Sequence, residues 1–219
     1  ATLAHELRSP LDAIKSAGAI LEAKGAAPEV AEKIQRLLRR QVSFMSRLAE
    51  DLTDAVRIHE GKISLKTEAI QLDDLLSAAV ESIEPALARR SQTCHIQKPS
   101  QSVELVADPA RFNQILSNLL YNASKFSPEA SVIELVASVE GDALAIKVSD
   151  SGIGVPPERL DWIFDDFTQI REGGEGMGLG LALVRRLVEL HGGSIKALSR
   201  GTGEGTVFEL HFPMLVSTR

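Results

Sequence analysis

The run Asn113–Pro128, NQILSNLLYNASKFSP, sets Asn118, Asn122 and Lys125 four and then three residues apart. Side chains so spaced share one face of a helix. Amide oxygens can ligate Mg²⁺, and an ammonium can meet phosphate. Phe126, next in line, offers a flat surface for stacking. Taken alone, the run reads as plainly as a solvated polar helix face, and its neighbours must decide.

Downstream, Asp150–Pro157 reads DSGIGVPP. A buried strand here delivers an aspartate directly into a Gly-x-Gly turn. A carboxylate in that place accepts a hydrogen bond from an exocyclic amine such as that of adenine. Gly152 and Gly154 let the backbone approach a ligand closely, although Asp and Gly are ordinary turn residues too. Further on, GGEGMGLGLALVRRLVELHGG carries Gly174, Gly176, Gly178 and Gly180 into a helix. A helix N-terminus there is suited to phosphate. The spacing fails the dinucleotide fingerprint, whose third glycine falls on Leu179 or Leu181, and no P-loop signature is present. A glycine-rich lid remains.

Outward from these motifs the chain divides into two periods. Leu7, Leu11, Ile14, Gly18 and Leu21 form a heptad-type seam, and Leu38, Val42, Met45, Ala49, Leu52 and Val56 a second. Gly25–Pro28 breaks between them. These seams predict an antiparallel helical hairpin over 1–61, pairing with a second copy as a four-helix bundle. Residues 62–219 are mixed. Ile63–Ile70 is expected as a strand, Leu72–Ser91 as a helix and Asp108–Pro109 as a helix start. A hairpin is expected around Gly141-Asp142, a helix over Leu179–His191, and a last strand pair at Ser194–Leu198 and Thr206–Phe212. The expected class is α+β, a mixed sheet with helices on one face.

Composition sets limits. Hydrophobic residues make up 44% and charged residues 25% of the 219, ordinary for a globular protein. The net charge of -6 lacks the basic footprint of a nucleic-acid binder. A single cysteine, Cys94, allows no disulfide framework, so a reducing, cytoplasmic setting is expected. No apolar run reaches membrane-span length. The chain opens inside a helical pattern without Met, as expected of a fragment of a longer parent that a membrane could anchor.

The ordered motifs together resemble the catalytic core of a bacterial sensor histidine kinase. HELRSPL at His5–Leu11 resembles the phosphoacceptor box, and NQILSNLLYNASKFS the N box. DSGIGVP resembles the first glycine box, IFDDFTQI at Ile163–Ile170 the F box, and GEGMGLGLAL and GEGTVFELHFP two further glycine boxes. The resemblance implies a Bergerat-type ATP-binding fold after a dimerising hairpin. It implies ATP and Mg²⁺ as ligands, with Asn122 the metal ligand and Asn118 and Lys125 close to phosphate or metal-bound water. Phe126 then stacks near adenine and Asp150 takes its amino group. Gly152, Gly154, Gly176, Met177, Gly178, Leu179 and Gly180 shape the pocket and lid, Phe164 and Phe167 anchor the lid, and Thr206 faces the adenine side.

His5 acquires a role in that frame. A zinc site of the H-E-x-x-H type needs a second histidine where Ser9 stands. The seam turns His5, Ser9 and Asp12 to another, outward face. The resemblance implies that His5 attacks the γ-phosphoryl group, that Glu6 takes the ring proton, and that Arg8 meets phosphate charge or pairs with Glu6. The phosphoryl group then passes to an aspartate of a response-regulator receiver domain, docked beside Asp12, Lys15, Ser16, Ser43, Arg47 and Glu50. Pro10 frees the carbonyl of Glu6 and is expected to bend the helix.

Three departures stand out. Ser9 replaces the Thr or Asn common four residues after the histidine, which leaves weak phosphatase activity towards the partner open. The lid segment Arg171–Glu175 is short, and Met177 stands where Thr is common. Related ATP hydrolases place a base in the N box, whereas Asn118 cannot act as one. The remaining alternative is a nucleotide-binding pseudokinase that signals by docking without phosphotransfer.

Overall fold

The computed structural model describes residues 2–22, 28–59, 63–165, 168 and 178–214. The chain divides into two compact units, one holding the two long helices and one running over Ile63–Asp165 and resuming at Gly180. No helix among the described residues is long and apolar enough to cross a membrane.

The first unit is a hairpin of α1 (Thr2–Glu22) and α2 (Pro28–His59). Pro28 opens α2, where its missing N–H costs nothing. The buried line runs through Pro10 and Ala17 on α1 and Ile34 on α2. This shifts the expected seam. Leu11 is 42% exposed, Leu21 44%, Val42 57% and Val56 50%. One residue along a helix is about 100° of rotation. Leu11 therefore stands beside the buried line at Pro10 rather than on it. Each helix carries an apolar stripe wider than one antiparallel neighbour covers. Asp12, Lys15 and Ser16 are exposed as expected. The side chains of Ser43, Arg47 and Glu50 lie outside those described. Pro10 sits inside a continuous α1.

The second unit begins with a correction. The strand expected over Ile63–Ile70 is only β1 (Glu68–Gln71), because its antiparallel partner β3 (Glu104–Ala107) offers four residues to pair with. The N–H of Lys66 turns instead to the carboxylate of Asp108, at 2.8 Å. Helix α3 (Leu72–Arg89) follows, with Asp73 and Asp74 in its first turn. Next comes β2 (Thr93–Gln97), which the periodicity does not reveal: four of its five residues are exposed.

Helix α4 (Pro109–Phe126) is capped by Asp108, whose side chain accepts the Arg111 N–H at 3.1 Å. Strands β4 (Val132–Glu140) and β5 (Ala143–Asp150) form the expected hairpin, with Gly141 at a φ of 63°. Helix α5 (Gly180–Leu190) stops before Gly192, at a φ of 74°. Strands β6 (Ser194–Leu198) and β7 (Thr206–Pro213) complete the sheet.

The main sheet runs β2-β4-β5-β7-β6, with β2 parallel to β4 and the other pairs antiparallel. One face, including Leu135, Leu144, Ile146, Phe208 and Leu210, is buried, with α3, α4 and α5 packed over the sheet. Ile115, Leu116, Leu119 and Leu120 of α4 are fully buried. Each contributes roughly 1.5–3 kcal/mol of transfer free energy. The other face carries charge. Glu209 bridges Lys147 and Lys196, each at 2.8 Å. Hydrogen bonds from both lysines outweigh its desolvation and hold its carboxyl down at about 2.

Candidate functional site

Burying one face of α4 turns Asn118, Asn122 and Lys125 to the half-buried side of that helix. Lys125 Nζ lies 4.9 Å from the centre of the Phe126 ring. The helix ends where the chain needs it to: the Ser127 N–H returns to the carbonyl of Ala123 at 3.1 Å. A buried amide holds that end. Gln92 Nε2 donates to the carbonyls of Ser124 and Pro128, while Ser124 donates back to Gln92 Oε1 at 2.6 Å.

The Asp150 turn seats against this helix end. The N–H of Ile153 donates to the carbonyl of Phe126 at 3.2 Å. A Cβ on Gly152 would stand 2.6 Å from the same oxygen, so only glycine fits there. Asp150 Oδ1 accepts the Gly152 N–H at 2.8 Å. Burial raises the Asp150 carboxyl above its ordinary value, and backbone hydrogen bonds from Gly152 and Thr206 partly offset this. Thr206 lies opposite Asp150 in the β5–β7 register and is buried.

The N-terminus of α5 closes the other end. A Cβ placed on Gly180 would lie 3.6 Å from Asn118 Oδ1, so the first turn of α5 and the middle of α4 are neighbours. Free N–H groups at a helix start suit an anion. The fold thus sets Gly180 against Asn118 in the middle of α4, and the Asp150 turn, with Gly152, Gly154 and the neighbouring Thr206, against Phe126 at the end of α4; Asn122 and Lys125 lie between these two points along the helix. Phe164 is buried and meets Phe208 edge-on at 6.3 Å, with the Arg185 guanidinium 5.9 Å from its ring centre. Gly178 is half-buried and Leu179 buried. Gly174, Gly176, Met177, Phe167 and the lid segment Arg171–Glu175 lie outside the described residues. Arg8 is exposed on α1. The side chains of His5, Glu6 and Ser9 lie outside those described.

Sequence reading missed two parts. The carboxylate of Asp108 joins the start of α4 to Lys66, and the Asp108 N–H donates to His191 Nε2 at 3.2 Å. His191 Nδ1 in turn bonds the Leu187 carbonyl at 2.8 Å, which makes Nδ1 the protonated nitrogen. The other part is Ser199, whose hydroxyl lies between the two glycine loops. The only signal for it was the dense run Gly201-Thr202-Gly203-Glu204-Gly205 beside it.

Comparison with known proteins places this geometry. Residues 107–216 match the family model described as histidine kinase-, DNA gyrase B-, and HSP90-like ATPase, and residues 1–61 match the His Kinase A (phospho-acceptor) domain. The chain belongs to the histidine kinase family. Among curated relatives, the sensor protein KdpD of Escherichia coli K12 is 34% identical over 97% of this chain and 24% of its own length. The sensor histidine kinase ZraS of the same organism is 30% identical over the whole chain and 46% of its own length. The chain therefore spans less than half the length of either relative. A solved full-length ShkA, in complex with AMPPNP, superposes with a TM-score of 0.72 at 30% identity, covering 97% of this chain and 45% of that one. Histidine kinase AdeS of Acinetobacter baumannii shares the fold, with a TM-score of 0.74 at 23% identity over 96% of this chain and 98% of its own.

Proposed function

We propose that the chain is the core of an ATP-dependent protein-histidine kinase in a two-component system. In this reading 1–61 is the dimerising phosphoacceptor hairpin and 62–219 the ATP-binding domain. The observation that carries it is the Asp150–Gly154 turn, seated on the end of an α4 that bears Asn118, Asn122 and Lys125, in a chain whose first helix contains His5. ATP as the nucleotide is supported by the ATPase family match and by AMPPNP in the ShkA complex.

Asp150 accepts the exocyclic amine of adenine, and Phe126 offers a face to the base. Asn118, Lys125 and the start of α5 receive the phosphates. Asn122 is the Mg²⁺ ligand. Among the described residues no cluster of three or more His, Cys, Asp or Glu could cage a metal. Asn122 lies half-buried on the α4 face that also bears Asn118, and its amide oxygen suits a Mg²⁺ that otherwise keeps substrate phosphates and water. When bound, it neutralises charge on the triphosphate.

Neutral His5 attacks the γ-phosphorus through one ring nitrogen. The N–P bond forms as the bond to the β–γ bridging oxygen breaks, and ADP leaves with that electron pair. Glu6 takes the proton from the other ring nitrogen. Arg8 meets charge developing on the phosphoryl oxygens. The phosphoryl group then passes to an aspartate of a receiver domain. Ser9 retains a hydroxyl for orienting water, which would allow weak phosphatase activity. The exposed apolar residues Leu11, Leu21, Val42 and Val56 support pairing of two hairpins.

The test uses Mg²⁺ and ATP labelled at the γ-phosphate. Acid-labile label on the wild type and none on His5→Ala is expected. Equal label on His5→Ala would overturn the assignment of His5. Nucleotide binding without any label on the wild type would favour the docking pseudokinase instead.

A further inference from the structure

Ser199 follows β6 directly and belongs to none of the motifs used above. Its Oγ accepts the N–H of Val155 at 3.1 Å and of Gly201 at 3.3 Å. It donates to the carbonyl of Gly205 at 2.7 Å, the nearer of two within reach; Gly201 O lies at 3.3 Å. One hydroxyl therefore ties the end of the Asp150 turn to both ends of the loop that leads into β7.

Two backbone bonds flank it: Gly203 N–H to Ile153 O at 2.7 Å, and Gly205 N–H to Gly152 O at 3.2 Å. The loops touch so closely that a Cβ on Gly154 would stand 2.0 Å from Gly201 O, and one on Gly205 2.0 Å from Asp150 O. Gly201, Gly203 and Gly205 all have positive φ, at 130°, 87° and 67°. Such a loop has wide conformational freedom when unrestrained. Its last glycine precedes Thr206, whose backbone donates to the Asp150 carboxylate. The Phe126 carbonyl fixes the turn from the helix side. Ser199 fixes it from the other, and its hydroxyl reaches the Val155 end of the turn as well as both ends of the Gly201–Gly205 loop.

We propose that Ser199 is a positioning residue for base recognition: its hydroxyl sets the Gly201–Gly205 loop against the Ser151–Val155 turn and so fixes where Asp150 meets the exocyclic amine of adenine. The inference rests on the nucleotide-binding reading above. Without the hydroxyl, the Val155 N–H and the Gly205 carbonyl lose their side-chain partner and the loops part towards water. Asp150 is then present but misplaced.

The test compares ADP with inosine diphosphate, which carries a carbonyl where adenine carries its amine. Dissociation constants are measured by titration calorimetry on the whole chain, with melting temperatures alongside. In Ser199→Ala the preference for ADP over inosine diphosphate is expected to fall about tenfold. In Ser199→Thr, which keeps the hydroxyl, it stays within about twofold. A merely structural role would weaken both ligands equally and leave the preference intact, which overturns the inference. So does a Ser199→Thr variant that loses the preference as Ser199→Ala does. Should Ser199→Ala fail to fold, Ser199→Cys, a weaker donor, carries the same comparison. A wild type that binds neither nucleotide overturns the nucleotide-binding reading itself.

Discussion

The backbone N–H of Lys66 donates to Oδ2 of Asp108 at 2.8 Å, while Oδ1 of the same carboxylate accepts the N–H of Arg111 at 3.1 Å. One side chain thus caps α4 and holds the segment that leads into β1. Burial opposes ionisation of Asp108, but hydrogen bonds from Lys66, Arg111 and Ala110 and the charge of Arg111 prevail, so its carboxyl lies below the ordinary value. A depressed carboxyl contributes stability that is fully present above its unfolded value of about 3.9 and lost as pH falls through the folded one. Asp108→Ala should cost about 1–2 kcal/mol at neutral pH. Urea unfolding at pH 7 and pH 3 checks this: the difference from wild type should shrink at the lower pH.

Glu209 works the same way on the open face of the sheet. Its carboxyl, held down at about 2 by Lys147 and Lys196, stabilises the fold above an unfolded value of about 4.3. That contribution fades as pH falls from there towards 2. Glu209→Gln should therefore melt below wild type at pH 7 and draw level with it near pH 2. Thermal melts across that range, followed by circular dichroism, would show convergence; parallel curves would refute it.

Asp150 has the opposite sign. Burial raises its carboxyl, so its favourable contribution is complete below about 3.9 and is lost as pH rises through the folded value. At pH 7 the charged form is a burden on the fold. Asp150→Asn should raise the melting temperature at pH 7 while weakening ADP binding at least tenfold. A melt with and without ADP separates the two effects: the variant starts higher and gains less from the ligand.

Gly152 and Gly180 should respond differently to one added methyl group. A Cβ at Gly152 would lie 2.6 Å from the Phe126 carbonyl oxygen, whereas one at Gly180 meets only Asn118 Oδ1 at 3.6 Å, an ordinary contact. Gly152→Ala should lose roughly 2 kcal/mol or more, because a backbone carbonyl cannot step aside cheaply. Gly180→Ala should stay within about 0.5 kcal/mol of wild type. Denaturant midpoints of the two variants decide it.

How far the sequence carries depends on where the information lies. The α4 face and the Asp150 turn were legible because periodicity and turn chemistry are local. Strand β2 was not, since Thr93–Gln97 is mostly exposed and owes its pairing to β4, thirty-odd residues away. The strand expected over Ile63–Ile70 is shorter because its residues pair only as far as β3 extends. The apolar seams of the hairpin were legible, but which residues the neighbouring helix covers was not: Pro10, Ala17 and Ile34 are buried, while the seam residues Leu11 and Val42 are left exposed. Ser199 and Asp108 act through backbone groups remote in sequence, and no spacing rule encodes such partners.

Phe126 supports the Asp150 turn through its backbone carbonyl, a group every residue carries. Any residue that keeps the helix end intact supplies the same oxygen. A change of side chain at position 126 therefore leaves the floor of the turn in place, and what that side chain touches can vary without rebuilding the turn beneath it.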